Sequence, residues 1–109
     1  MTDDFPYTEA APTREEVDVL SGAVVLNFGT NWCGFCRAAQ PLIRTALAEH
    51  AGVLQIKVED GSGRRLGRSF AVKLWPTLVF LRDGKELARV VRPQSVDEVE
   101  QGLAKIEAD

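Results

Sequence analysis

Both cysteines of this chain stand in Trp32-Cys33-Gly34-Phe35-Cys36, just after the apolar run Ala23-Val24-Val25-Leu26-Asn27-Phe28. A strand that delivers Cys-x-x-Cys into the first turn of a helix builds a reactive dithiol. A cysteine at a helix start meets unpaired backbone N–H groups and the positive end of the helix dipole, and both favour a thiolate. Cys36, one turn further on, is placed to attack a mixed disulfide formed on Cys33. Two other readings share the spacing. A structural disulfide over so short a loop would constrain the unfolded chain little. A zinc site takes four ligands, and the only other soft donor is His50. Spacing and context favour redox chemistry.

The length of 109 residues suits one domain, enough to bury roughly two thirds of its unfolded surface. Residues 1–12 carry Pro6 and Pro12 with little pattern and read as an extended N-terminal arm, with a short edge strand near Tyr7. Residues 13–109 read as the single domain. A net charge of −3 argues against a general nucleic-acid binder. Met1-Thr2-Asp3-Asp4 offers no basic stretch leading into an apolar run, so no signal peptide is visible, and no segment approaches the ~20 apolar residues of a membrane span. A working dithiol without an export signal points to the cytoplasm.

Thr13-Arg14-Glu15-Glu16 is a capping box that opens a short helix ended by Ser21-Gly22. Ala23–Phe28 is apolar on both faces, as in a strand covered by helices on each side. A long helix is expected from Gly34 to Ala51, kinked at Pro41 and closed by Gly52. Val53–Glu59 follows as a strand with Leu54, Ile56 and Val58 on one face, then an Asp60–Gly63 loop and a short Arg64–Phe70 helix. Thr77–Leu81, an Asp83-Gly84 turn and Leu87–Val91 form a hairpin. Ser95-Val96-Asp97-Glu98, a second capping box, opens a last helix with Val96, Val99, Leu103 and Ile106 on one stripe. This order gives an α/β fold, a central mixed sheet flanked by helices on both faces.

At this level the chain resembles the thioredoxin family from about residue 13 to 107. The matching motifs are Trp32-Cys33-Gly34-Phe35-Cys36, Pro41 five residues beyond the second cysteine, Trp75-Pro76-Thr77 and Asp83-Gly84. The resemblance implies the thioredoxin fold, with Cys33 as attacking and Cys36 as resolving thiol. It implies a cis peptide before Pro76, facing the dithiol, whose neighbouring backbone groups are free to pair with an extended substrate segment. The substrate surface would then comprise Trp32, Gly34 and Phe35 on one side, and Trp75, Pro76, Thr77 and Arg92 on the other. The chain is expected to exchange disulfides with protein substrates as a monomer. A reductase or other thiol donor would recharge it, with no metal or organic cofactor.

Several positions depart from the family pattern. Asn27 stands where thioredoxins carry a buried Asp that takes the proton of the resolving thiol. An amide cannot do so; Asn27 is read as a tuning position or a satisfied buried polar residue. Phe35 replaces the usual Pro between the cysteines, which by resemblance makes the disulfide more oxidising than thioredoxin's. Gly29 replaces a second tryptophan, Trp75 an aliphatic residue and Arg92 a glycine. Trp32, Phe35 and Trp75 would form an apolar rim beside a positive charge, unless Trp75 simply covers Phe35. Lys57, on the strand beside Asn27, is either a proton-transfer partner or a lysine reaching solvent. The Arg64-Arg65-Leu66-Gly67-Arg68 run reads as a solvated face, and His50 as a favourable charge near a helix C-terminus. A rival to the oxidoreductase is a binding module on the same fold whose redox activity is incidental; a zinc or iron–sulfur site shared between two chains is a third reading.

Overall fold

A computed structural model describes residues 6–107. Its element order is α1 (Arg14–Asp18), β1 (Ala23–Gly29), α2 (Gly34–Leu47), β2 (Leu54–Glu59), α3 (Arg65–Ser69), β3 (Thr77–Arg82), β4 (Lys85–Val91) and α4 (Val96–Glu107). The sheet runs β2-β1-β3-β4. β1 pairs parallel with β2 and antiparallel with β3, and β3 pairs antiparallel with β4. This is the mixed sheet with helices on both faces that the sequence order implies.

Alternation along β1 divides the core. Val24, Leu26 and Phe28 pack with Val17, Leu66, Phe70, Val79 and Leu81 beneath α1 and α3. Val25 points the other way, into a cluster with Ala39, Ile43 and Ala46 of α2, Leu78 and Phe80, and Val99, Leu103 and Ile106 of α4. Because side chains two apart share a face of a strand, Asn27 and Gly29 lie on the α2 side, at the end of β1 that leads into the dithiol.

The Thr13 capping box forms as its spacing requires: Glu16 N–H donates to the Thr13 side chain, and Thr13 N–H to Glu16. At the second box Glu98 N–H donates to Ser95 Oγ at 3.2 Å, but the Glu98 carboxylate reaches back to Gln94 N–H at 3.3 Å. Asp83 and Gly84 both have positive φ, 52° and 82°, as a two-residue hairpin turn needs. A Cβ on Gly84 would lie 2.0 Å from the Asp18 carbonyl oxygen, so the turn is pressed against the end of α1.

α2 is shorter than the sequence implies. It is continuous through Pro41 but ends at Leu47, with Ala48 rather than Gly52 closing it. Glu49 and His50 turn more tightly, their N–H groups bonding Ala46 and Leu47 carbonyls. The cause lies in α4. His50 Nε2 meets Glu100 at 2.7 Å, and Nδ1 meets Glu107. His50 is thus a tie between the α2–β2 turn and the last helix.

Hydrogen bonding to Glu100, followed by Glu107, raises the His50 pKa although partial burial opposes it. The folded chain therefore holds this proton more tightly than the unfolded chain. The stability so contributed is fully present below about pH 6.5, the unfolded value, and is lost as pH rises through the higher folded value. Chemical denaturation of the wild type and His50→Gln should differ most near pH 5.5 and converge at alkaline pH. A gap independent of pH would exclude the protonated imidazole as its source.

Candidate functional site

Cys33 is the N-cap of α2, in extended conformation, and its sulphur accepts the Cys36 N–H at 3.2 Å. The helix thus begins on the sulphur itself, so a free N–H of the first turn is aimed at the atom that must carry charge. Both cysteines are free thiols. Cys33 is 7% exposed and Cys36 1% exposed, which places Cys36 underneath. Burial pushes the Cys36 thiol up to about 12. The hydrogen bond to Cys33 adds to this, while bonds from Thr30 backbone and the Tyr7 side chain pull the other way.

The Trp75–Pro76 peptide is cis, and Cys33 Sγ lies 4.0 Å from the Trp75 carbonyl oxygen. The backbone here is not free, contrary to the sequence expectation. Arg92 Nε donates to Trp75 O at 2.8 Å, and Arg92 N–H donates to Pro76 O at 2.9 Å. Arg92 does this with φ of 53°, a left-handed conformation that suits the glycine the resemblance implied at this position. Its guanidinium lies 3.8 Å from the Phe35 ring centroid, a cation–π contact that ties β4 to the start of α2.

Trp75 does not cover Phe35. It meets Trp32 edge-to-face at 5.8 Å, and its Nε1 donates to Asp60 at 2.9 Å. Asp60 is itself buried, with Gly67 packed so closely that a Cβ there would strike the carboxylate. The rim therefore comprises exposed Trp32 and Phe35, half-buried Trp75 and the Arg92 cation, with exposed Leu74 and Val91 adjoining. Gly34 is open, with nothing within 4 Å of a Cβ placed there. Thr77 is brought close only by its backbone; its buried hydroxyl donates to Leu74 O at 2.6 Å.

Asn27 is fully buried, and both ends of its amide are bonded. Tyr7 Oη donates to Oδ1 at 2.7 Å, and Nδ2 donates to Gln55 at 3.0 Å. Lys57, directly opposite Asn27 in the β1–β2 register, does not reach solvent. It is 7% exposed, its ammonium donates to Gln40 at 3.0 Å and it lies 4.6 Å from the Tyr7 ring centroid. The basic run is partly neutralised within the chain, with Arg64 near Glu9 and Glu59.

The sequence reading passed over Tyr7, Gln40, Gln55 and Asp60. One signal was available for Tyr7: Gly29 leaves a space where the family pattern has a large aromatic ring. A larger cavity of about 460 Å³ lies between the N-terminal segment and α3, but neither cysteine lines it. The cavity that reaches Cys36 is about 280 Å³ and is lined by Tyr7, Thr30, Gln40 and Lys57 among others. Among the described residues, no three His, Cys, Asp or Glu side chains gather as metal ligands, and no helix is long and apolar enough to cross a membrane.

A dithiol at a helix start, its first cysteine less deeply buried than its second, beside a cis proline on a mixed sheet, defines a thiol–disulfide exchange site. The thioredoxin family profile matches residues 7–105. Thioredoxin from Chlamydia trachomatis is 32% identical over 87 residues, 80% of this chain and 85% of that protein. Thioredoxin H-type 1 from Nicotiana tabacum is 33% identical over 82 residues, covering 75% of this chain and 64% of that protein. The structure of reduced thioredoxin 2 from Pseudomonas aeruginosa PAO1 superposes with a TM-score of 0.85 at 53% identity, covering 94% of this chain and 95% of that one. The chain belongs to the thioredoxin family and is a thiol–disulfide oxidoreductase. Members of this family reduce protein disulfides and are recharged by a reductase.

Proposed function

We propose that this protein exchanges disulfides with protein substrates through Cys33, that Cys36 releases the product, and that a separate thiol reductase restores the pair. The supporting observation is the asymmetry of the two sulphurs. Cys33 caps α2 and receives the Cys36 N–H, whereas Cys36 is shut beneath it. The exposed Trp32 and Phe35 rings offer an apolar landing for a substrate segment, and that segment competes with the Arg92 guanidinium at the Trp75 carbonyl. Arg92 thereby discriminates among substrates, favouring those that bring their own acceptor for the guanidinium. Working as an electron donor, the pair belongs in the reducing cytoplasm.

The reading includes a dithiol more oxidising than thioredoxin's, above about −270 mV and toward the roughly −180 mV of the isomerases. Phe35 is the reason: a flexible residue replaces a stiffening proline at the helix start. The test is equilibration of Cys33–Cys36 against glutathione for the wild type and Phe35→Pro. The expected result is a wild-type midpoint above thioredoxin's and a variant at least about 30 mV more reducing, a shift of about 1.4 kcal/mol for two electrons. A thioredoxin-like wild-type value, or an unmoved variant, overturns this part of the proposal.

A further inference from the structure

Tyr7 is the only tyrosine in the chain and is 5% exposed. It precedes every helix and strand, yet it is tightly held. Its N–H donates to Asn31 Oδ1 at 2.9 Å, and Asn31 Nδ2 donates back to its carbonyl at 3.1 Å. The next residue, Thr8, bridges Val58 in parallel, and Glu59 N–H donates to Thr8 O at 2.8 Å. The ring packs with Cys33 and Cys36. It gets there because residue 29 has no side chain. A Cβ on Gly29 would lie 2.6 Å from Cys36 Sγ, 2.7 Å from Tyr7 Cζ and 2.8 Å from Tyr7 Oη.

We propose that the Tyr7 hydroxyl is the hydrogen-bond donor that stabilises the Cys36 thiolate during resolution of the mixed disulfide, and that Asn27 Oδ1 holds this hydroxyl between turnovers. A phenol O–H switches between its two in-plane orientations over a low barrier, so one donor serves either acceptor in turn. A neutral amide suits the resting role, since a carboxylate would hold the donor more strongly and repel the thiolate. Burial, followed by the neighbouring Cys36 charge, raises the Tyr7 pKa well above its ordinary value, so the phenol stays protonated and acts as a donor rather than a base.

In the step concerned, Cys36 loses its proton to solvent through the cavity it lines with Tyr7, Thr30 and Gln40. Its thiolate attacks Cys33 Sγ, the Cys33–substrate S–S bond breaks, and the Cys33–Cys36 bond forms. The substrate sulphur leaves with the electron pair and takes a proton from solvent, so two cysteines are oxidised and the substrate disulfide ends reduced. The titratable or charged groups beside Cys36 are Cys33, Tyr7, and Lys57 and Arg37 across the same cavity. Of these, Tyr7 is the neutral donor, with its hydrogen bond acting to lower the Cys36 pKa.

This inference rests on Cys36 being the resolving thiol, so Cys36→Ser is measured first. If that variant traps no mixed disulfide on Cys33, the proposed function fails before Tyr7 is tested. Resolution of a preformed mixed disulfide is then followed by stopped flow against pH in Tyr7→Phe, which keeps the ring and removes the hydroxyl. Attack by Cys33 is followed separately in the Cys36→Ser background with and without Tyr7→Phe. The expected result is resolution slowed about tenfold more than attack near pH 7, with its pH midpoint raised by about one unit. Equal slowing of both steps, or an unmoved midpoint, overturns the proposal. Uniform replacement of tyrosine by 3-fluorotyrosine touches only position 7 and gives a more acidic, stronger donor in the same packing. It should speed resolution and lower the midpoint. No change, or slower resolution, overturns the proposal even if Tyr7→Phe fails to fold.

Discussion

Cys33→Ser should reduce disulfide reductase activity to the uncatalysed background, whereas Cys36→Ser should leave a protein that accumulates substrate as a mixed disulfide on Cys33. The two outcomes follow from one geometry. Cys33 is the helix N-cap whose sulphur accepts the Cys36 N–H, so the variant lacking it keeps only the more deeply buried thiol. Cys36 lies beneath, with a thiol that burial pushes up to about 12. Near neutral pH it is almost wholly protonated, and it should gain roughly tenfold in thiolate per pH unit up to that value. In the wild type, the release of product should therefore climb with pH. Intact mass of Cys36→Ser after mixing with a disulfide-bonded protein shows the adduct, and dithiothreitol removes it. A short pulse of iodoacetamide on the native reduced protein should label Cys33 alone. Comparable labelling of both cysteines, or an adduct on Cys36, reverses the assignment of roles.

Much of this site was legible in the sequence because its signals are local. The strand leading into Cys-x-x-Cys, the capping box at Thr13 and the Asp83-Gly84 turn each depend on a few neighbouring residues, and each forms where the spacing puts it. The order of strands and helices then leaves few arrangements. The misses are of another kind. The early end of α2 comes from His50 meeting Glu100 and Glu107, some 50 residues away in the chain. The burial of Lys57 depends on Gln40, Tyr7 and the β1–β2 register together. Tyr7 sits in a proline-bearing segment with no periodicity, and only the tertiary structure brings its hydroxyl to Asn27. The missing side chain at Gly29 was visible; what fills its place was not. Arg92 shows the same limit: a positive charge beside the dithiol was legible, but its hold on the Trp75 carbonyl needs the left-handed backbone at that residue.

Asn27→Asp should weaken the fold by several kcal/mol at neutral pH and alter the resolving step, because it places a charge where every neighbour is arranged around a neutral amide. Asn27 is fully buried, with Oδ1 accepting from Tyr7 and Nδ2 donating to Gln55. The carboxylate keeps the first bond and loses the second, presenting an oxygen to the Gln55 acceptor until that amide turns over. Desolvation raises the new carboxyl's pKa above its unfolded value of about 3.9. The sign of the pH dependence follows. At low pH both states are protonated and the variant approaches the wild type. As pH rises above about 4 the unfolded chain ionises first, and the variant loses stability until the folded carboxyl also ionises. Lys57 opposite Asn27 in the β1–β2 register limits the loss without cancelling it, since its ammonium already serves Gln40. For chemistry, the carboxylate supplies a base on the α2 side of β1, which favours deprotonation of Cys36. It also adds a buried anion near the developing thiolate and grips the Tyr7 hydroxyl more firmly, and both oppose it. With the donor withdrawn, the second effect dominates here: Asn27→Asp should resolve the mixed disulfide more slowly than wild type, and adding Tyr7→Phe should slow it little further, because the hydroxyl is already held away from Cys36. Chemical denaturation from pH 4 to 8 and stopped-flow resolution measure the two halves. A faster variant would show that proton removal, rather than hydrogen bonding to the thiolate, limits this dithiol.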